Sequence, residues 1–442
     1  MEQLIKSLLE NNLLCDNCLG RQFALLGYGL TNAKRGQILK NATVLLLYNE
    51  LTDSSVQTIY QNIAYFKNDL AKKALKKQNI KLRESEGRRE VCELCEGLFD
   101  RLEEIANEIV DKLANEEYET FLVGAKFYPE LVEKEDILRA KHKITTGETI
   151  KSEFTREIGK LIMEKTGKEP EFELPDITIL IDLPEQTIEL QKRSLYIFGR
   201  YNKLIRTIPQ TRWPCYNCNG EGCEECNFTG KKYQESVEEL VAEPILEVVG
   251  GTGTKFHGAG REDIDARMLG NGRPFVLEVL DPHRRFIDLE KIEQLVNKRT
   301  EGKVQVSNLE IVDKSKVQEI KAQSTDTKKT YRARIRVEKP IPKEKLTELE
   351  KVLKGKTIEQ RTPTRVEHRR ADKIRKRTVY DIQVEQTDDQ VLEAIITGEG
   401  GLYIKELISG DSGRTKPSFS EILETSVECY QLDVINVHKP DA

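Results

Sequence analysis

Residues 250–280 read GGTGTKFHGAGREDIDARMLGNGRPFVLEVL. Glycines crowd the first part, Arg261 stands two positions before Asp263, and 274–280 is a strongly apolar strand candidate immediately downstream. A loop that feeds a buried strand is a common place for chemistry, because a rigid element then presents exposed side chains. The glycines do not make a nucleotide cradle. Gly251-Thr252-Gly253-Thr254-Lys255 lacks the Gly-x-x-x-x-Gly-Lys-Ser/Thr spacing, and no Gly-x-Gly-x-x-Gly opens a helix. By residue type alone the segment also suits a structural loop whose arginines and aspartates form surface ion pairs, each worth about 1 kcal/mol or less. Taken alone the residues favour that structural reading; Asp263 and its rival Asp265 are the carboxylates available should the loop carry chemistry.

Outward from this stretch the chain divides in two. At 442 residues it is too long for one ordinary core. Residues 1 to about 115 have apolar side chains recurring at three and four, as in 42–51 and 94–110, and are expected to be helical. Then comes a small α+β unit at about 118–185: a strand at 118–123, an amphipathic helix at 149–166 and a β-branched run at 177–181. Strands are expected at 187–191 and 194–199. Beyond the central cysteines, helices are expected at 289–298 and 343–353, and strands at 330–337 and 379–384. This mixed order predicts an α+β fold, divided into residues 1–205 and 206–442.

Charged residues make up 33% of the chain, and no apolar run approaches the roughly 20 residues of a membrane span. The opening MEQLIKSLLENNLL has helical spacing at Leu4, Ile5, Leu8 and Leu9, unlike a cleavable signal, so a cytoplasmic protein is expected. A net charge of -5 gives no global preference for nucleic acid. The stretch 361–377 reverses that sign locally, with Arg361, Arg365, Arg369, Arg370, Lys373, Arg375, Lys376 and Arg377 against Glu367 and Asp372. Such density is what phosphate neutralisation needs, and it predicts binding that weakens steeply with salt; a solvated charged helix is the alternative.

Of nine cysteines, eight form Cys-x-x-Cys pairs. Each pair supplies two thiolates on one knuckle, and two knuckles complete a tetrahedral zinc site. Cys15 and Cys18 with Cys92 and Cys95 would staple the ends of the helical region, and Cys215, Cys218, Cys223 and Cys226 form a compact second set. Four sulfurs per site leave no open coordination position, so one or two structural zinc ions are expected rather than catalytic ones. A redox dithiol is the competing reading. Cys429, in an apolar stretch, reads as a small core residue.

The segment 260–275, GREDIDARMLGNGRPF, resembles the signature of the Pus-ten family of archaeal and eukaryotic tRNA pseudouridine synthases. Further similar blocks are CDNCLGRQFA at 15–24, RWPC at 212–215, KKTYRA at 328–333, QRTPTRVEHRRAD at 360–372 and GLYIKELISGDSGRTKPS at 401–418. The resemblance implies a THUMP-like RNA-binding module at about 118–185 and a pseudouridine synthase catalytic domain after it. It implies that Asp263 is the nucleophile, Lys405 its basic partner and Tyr331 the active-site tyrosine. Tyr403 would contact substrate, and Ile404 and Leu432 would wall the flipped base. Arg261 would contact a phosphate or prop the RNA open, and Arg361, Arg365, Arg369 and Arg370 would meet the RNA backbone. It further implies that the substrate is the T-arm of tRNA, at uridines 54 and 55, with no catalytic cofactor; a monomer is expected. The alternatives are a zinc-containing tRNA modifier of another chemistry, such as a methyltransferase, and a non-catalytic tRNA-binding protein.

Overall fold

The computed structural model describes residues 1–83 and 91–438, without the side chains of 323–326 and 369. Two compact units emerge, Met1–Arg193 and Ser194–Ala442. The division falls earlier than the 205/206 expected from sequence. The reason is that Leu195–Lys203 adds a strand to the second unit's sheet, between two strands more than sixty residues downstream.

The first unit begins with helices at Glu2–Asn11, Asp16–Arg21, Asn32–Leu46, Ser54–Tyr65, Asp69–Lys77 and Leu102–Leu113. Four strands follow: β1 (Thr120–Lys126), β2 (Glu169–Pro170), β3 (Ile177–Asp182) and β4 (Thr187–Lys192), in the order β2-β1-β3-β4. Helix Ile150–Thr166 is capped by Thr149, whose hydroxyl accepts from the Ser152 amide, and buries Phe154, Ile158 and Ile162 at intervals of four. The fully buried Arg21 crosses this core. It donates to Glu135 at 2.6 Å and to Glu153 at 2.8 Å, tying the first cysteine knuckle to helices Pro129–His142 and Ile150–Thr166.

The second unit holds β5 (Leu195–Lys203), β6 (Gly253–Gly258), β7 (Ala266–Leu280), β8 (Val304–Val312), β9 (Lys329–Val337), β10 (Thr357–Arg361), β11 (Ile374–Asp388), β12 (Val391–Gly398), β13 (Thr415–Lys416) and β14 (Val427–Val437). They form one ten-stranded sheet, β13-β10-β11-β12-β9-β14-β7-β5-β8, with β6 also paired to β7. Helices Val237–Val249, Leu289–Arg299 and Lys343–Leu353 bury Ile245, Val296 and Leu349 into its core.

The glycine-rich stretch is less of a loop than its composition suggests. Residues 253–258 are β6, and β7 starts at Ala266 rather than near Pro274. The glycines serve close approach. At Gly270, where φ is +62°, a Cβ would lie 1.9 Å from the Ile435 carbonyl oxygen, so only glycine lets β7 bend against β14 there. What remains as loop is the short segment carrying Arg261, Glu262, Asp263 and Asp265.

Candidate active site

Strand register brings the site together. β7 and β14 run parallel, with Ala266 beside Leu432 and Met268 beside Val434. That register is pinned by Asp433, which accepts from Arg267 Nε at 2.9 Å and Nη2 at 2.8 Å. β14 is antiparallel to β9, where Tyr331 lies opposite Val434. Asp263, Leu432 and Tyr331 therefore come from adjacent strands or their leading loop. The fourth contribution is helix Ile404–Ser409, entered through Tyr403. The buried Gln360 side chain clamps that entry, donating to the Tyr403 carbonyl and accepting from its amide, both at 2.9 Å.

These elements line a cavity of about 530 Å³, within the roughly 300–1,000 Å³ typical of small-molecule sites. Asp263, Tyr331, Lys405, Tyr403, Ile404, Leu432, Arg261, Arg365 and Arg370 all line it. Asp265 does not. Arg361 also lies away from the cavity, held by Asp372 with Nε–Oδ2 at 2.9 Å. The Arg369 side chain falls outside the described residues.

The charge arrangement around Asp263 differs from the expected Lys405 pairing. Arg365 Nη1 approaches both Asp263 carboxylate oxygens at 3.1 Å, while its Nε binds Glu406 at 2.7 Å. Lys405 stands 3.8 Å from Asp263 and 2.6 Å from Asp265. Burial pushes the Asp265 carboxyl up, but the Lys405 hydrogen bond and charge outweigh this and hold it below the ordinary value. Asp263 thus has one contacting guanidinium and a second cation shared with its neighbour. It is one-third exposed at the cavity edge, where a substrate can reach it.

Beneath this loop lies a buried polar cluster. Glu262 accepts from Arg273 Nε at 2.8 Å and from the Tyr201 hydroxyl at 2.8 Å, and Gln210 donates to Tyr201 at 2.7 Å and to the Gly260 carbonyl at 2.9 Å. Lys203 Nζ donates to the carbonyls of Ile208, Asp263 and Ile264, each at 3.0 Å. The backbone of Asp263 is therefore fixed from below by an ammonium. Tyr331 is also deeply buried, and burial raises its phenol to about 12; Arg273 opposes that rise and Asp263 adds to it. It is a neutral hydroxyl at physiological pH. Two residues earlier on the same strand face, Lys329 is lowered to about 8 by burial and the Arg273 charge, against Glu262. Sequence reasoning assigned nothing to Glu262, Arg273, Lys203 or Lys329, although the first two lie within GREDIDARMLGNGRPF and the last within KKTYRA.

The basic stretch is not a helix. It ends β10, makes one 3-10 turn at Thr364–Arg369 and enters β11. Among the described side chains four of its cations have carboxylate partners: Arg361 on Asp372, Arg365 on Asp263 and Glu406, Lys376 on Glu359 and Arg377 on Glu399. Arg370 instead donates to the Tyr403 hydroxyl at 2.8 Å.

Both cysteine sets are assembled as expected. In each, the four sulfurs lie within 4.8 Å of one another. A tetrahedron of Zn–S bonds near 2.3 Å has edges of about 3.8 Å. The distances fit: Cys15–Cys95 is 3.7 Å, Cys215–Cys223 and Cys218–Cys226 are 3.9 Å, and Cys223–Cys226 is 3.7 Å. Backbone amides of Gly222 and Gly230 also point at Cys218 and Cys226 sulfur at 3.2 Å, an arrangement that suits thiolates.

Residues 196–438 match the family described as Pus10, C-terminal, and residues 105–182 match the archaeal Pus10 THUMP domain. The tRNA pseudouridine synthase Pus10 of Methanothrix thermoacetophila is 45% identical over 96% of this chain and 91% of its own. The chain belongs to the Pus10 family of tRNA pseudouridine synthases. The Methanocaldococcus jannaschii member is likewise 45% identical, over 99% of this chain and 95% of its own. A crystal structure of a Cbf5-Nop10-Gar1 complex covers 46% of each chain at a TM-score of 0.28 and 19% identity, a likeness too slight to argue from. Membership makes the chain an isomerase, and the α+β architecture and THUMP domain agree with the sequence reading. Among the described residues no helix is long and apolar enough to cross a membrane.

Proposed function

We propose that this enzyme converts uridines 54 and 55 of the tRNA T-loop to pseudouridine, with Asp263 as the nucleophile. The supporting observation is the Asp263 carboxylate 3.1 Å from the Arg365 guanidinium, in a cavity that a neutral Tyr331 also lines. A carboxylate nucleophile must be aimed; Arg365 holds the side chain through its contact at 3.1 Å, and Lys203 fixes the backbone that carries it. In the reaction the N1–C1′ bond breaks and a C5–C1′ bond forms, while the C5 proton is lost and N1 gains one. The change is an isomerisation that consumes no co-reactant. Tyr331 stacks on the displaced base, its hydroxyl available for proton movement, and Ile404 and Leu432 close the apolar walls. Tyr403, Arg261, Arg365 and Arg370 contact the RNA, with Lys405 as a second cation at the reacting carboxylate.

Both cysteine sets hold structural zinc on this reading, the THUMP domain grips the T-arm, and the enzyme acts as a cytoplasmic monomer. The test is Asp263→Asn, assayed by mass mapping of an unmodified tRNA transcript. Pseudouridine should vanish at both positions while tRNA affinity persists. Retained turnover, or methyl transfer to the RNA from a supplied donor, sinks the assignment.

A further inference from the structure

Four side chains of the second knuckle and its neighbours remain outside the chemistry above, and Arg261 of the cavity meets one of them. Trp213 and Tyr233 pack edge to face with ring centroids 5.7 Å apart. Lys232 Nζ lies 4.2 Å from the Tyr216 ring centroid, 5.7 Å from that of Trp213 and 5.8 Å from that of Tyr233. Arg261 places its guanidinium carbon 4.8 Å from the centroid of Trp213. Tyr216 is 67% exposed, so this is not a core in miniature. Large aromatic rings held at the surface under cations are a poor use of apolar area unless something covers them.

The knuckle's own bonds hold the group in place. The Cys215 amide donates to the Gly230 carbonyl and the Lys232 amide to the Trp213 carbonyl, both at 2.9 Å, closing the base of the knuckle. The group is also continuous with the active site. Arg261 lines the cavity as well as covering Trp213, and Gln210, three residues before Trp213, donates to the Gly260 carbonyl of the catalytic loop. Glu221, Glu224 and Glu225 lie between and within the Cys pairs, Lys231 pairs with Glu239 at 2.5 Å, and the cations over the rings are Lys232 and Arg261. Rings offer a π-face to any base, and the cations meet the phosphate beside it; together they suit unpaired RNA better than an apolar peptide.

We propose that Trp213, Tyr216, Lys232 and Arg261 form a stacking platform for an unpaired nucleotide next to the target uridine. The platform holds the neighbour while the target enters the Asp263 cavity, so the knuckle serves substrate positioning as well as folding. The inference rests on tRNA being the substrate and on the Asp263 cavity receiving the target uridine, and not on which position is modified.

Trp213 is the sole tryptophan, so its fluorescence reports directly on the platform. The experiment titrates the full chain carrying Asp263→Asn with an unmodified tRNA transcript, and repeats the titration with Tyr216→Ala and Tyr216→Phe added. Saturable quenching is expected, with Kd weakened roughly 5- to 100-fold by Tyr216→Ala and retained by Tyr216→Phe. A second series replaces single loop nucleotides by abasic units. One abasic site beside the target uridine should remove the quench and make the Tyr216→Ala chain bind as tightly as its parent. Saturable binding with unchanged fluorescence, or an abasic series in which no position matters, overturns the platform even if Tyr216→Ala were to misfold. Mass mapping on the unsubstituted chain separates the two readings. Pseudouridine formed with flat fluorescence sinks the platform alone, whereas quenching without any isomerisation supports the platform and sinks the proposed reaction.

Discussion

Lys329 offers the most exposed quantitative test of the site's electrostatics. Its ammonium is buried beside Arg273, and burial with the Arg273 charge lowers it from 10.5 to about 8 despite Glu262. That depression corresponds to about 3 kcal/mol of folding free energy lost when the group is charged. The sign follows from proton counting. Between pH 8 and 10.5 the unfolded chain keeps a lysine proton that the folded chain has released, so stability climbs with pH across that window. Below pH 8 both states are protonated and the cost is constant. Tyr331 acts oppositely but later: with its phenol raised to about 12, the unfolded chain loses that proton first, and stability falls above about pH 10. The comparison therefore belongs between pH 7 and 10, taken as a difference between wild type and Lys329→Met so that shared groups cancel. Methionine keeps the volume and drops the charge. Calorimetry of the full chain should show the second unit's transition about 6–12 °C higher in the variant at pH 7, with the gap shrinking steadily toward pH 10. A variant no more stable at pH 7, or a gap that does not change with pH, refutes the reasoning.

Arg273→Met should behave in the opposite way, costing about 3–5 kcal/mol because Glu262 is left charged and buried with its remaining partner Tyr201; adding Glu262→Gln should recover much of that loss, as read by urea unfolding. Gly270→Ala should depress pseudouridine formation more than it lowers the first unit's melting, because a Cβ there forces β7 off β14 and moves the Asp263 loop against Leu432. Chelation at neutral pH should release one or two zinc ions per chain by metal analysis and unfold the cysteine-bearing regions before any chemical step changes. A metal-free, fully active preparation contradicts that expectation.

The elements were readable from the sequence where one periodicity persists. The apolar spacing of 149–166 gives a helix at Ile150–Thr166, and the alternation at 330–337 gives β9 almost to the residue. Register was not readable, and the charge pattern depends on it. Counting along 361–377 makes that stretch strongly basic, yet β10 and β11 place Glu359 opposite Lys376, and Glu399 and Glu406 approach Arg377 and Arg365 from later segments. A window in sequence cannot include a partner across a strand. For the same reason the cation contacting Asp263 is Arg365 from the basic turn, while Lys405, which motif resemblance singled out, lies closest to Asp265.

The buried charges were hidden by a different cause. Lysine, arginine and glutamate read as surface residues, and Lys203, Arg273 and Glu262 lie buried under the Asp263 loop. A loop between two strands has backbone carbonyls that no ladder satisfies, and buried carbonyls need donors. Here the Asp263 and Ile264 carbonyls receive Lys203, the Ala259 carbonyl receives Arg273 Nη1 at 2.9 Å, and the Gly260 carbonyl receives Gln210. An irregular backbone at this depth therefore requires charged or amide side chains beneath it. Their presence follows from holding Asp263 on a non-repeating turn at the edge of a buried sheet, a requirement that appears only once the sheet is closed around it.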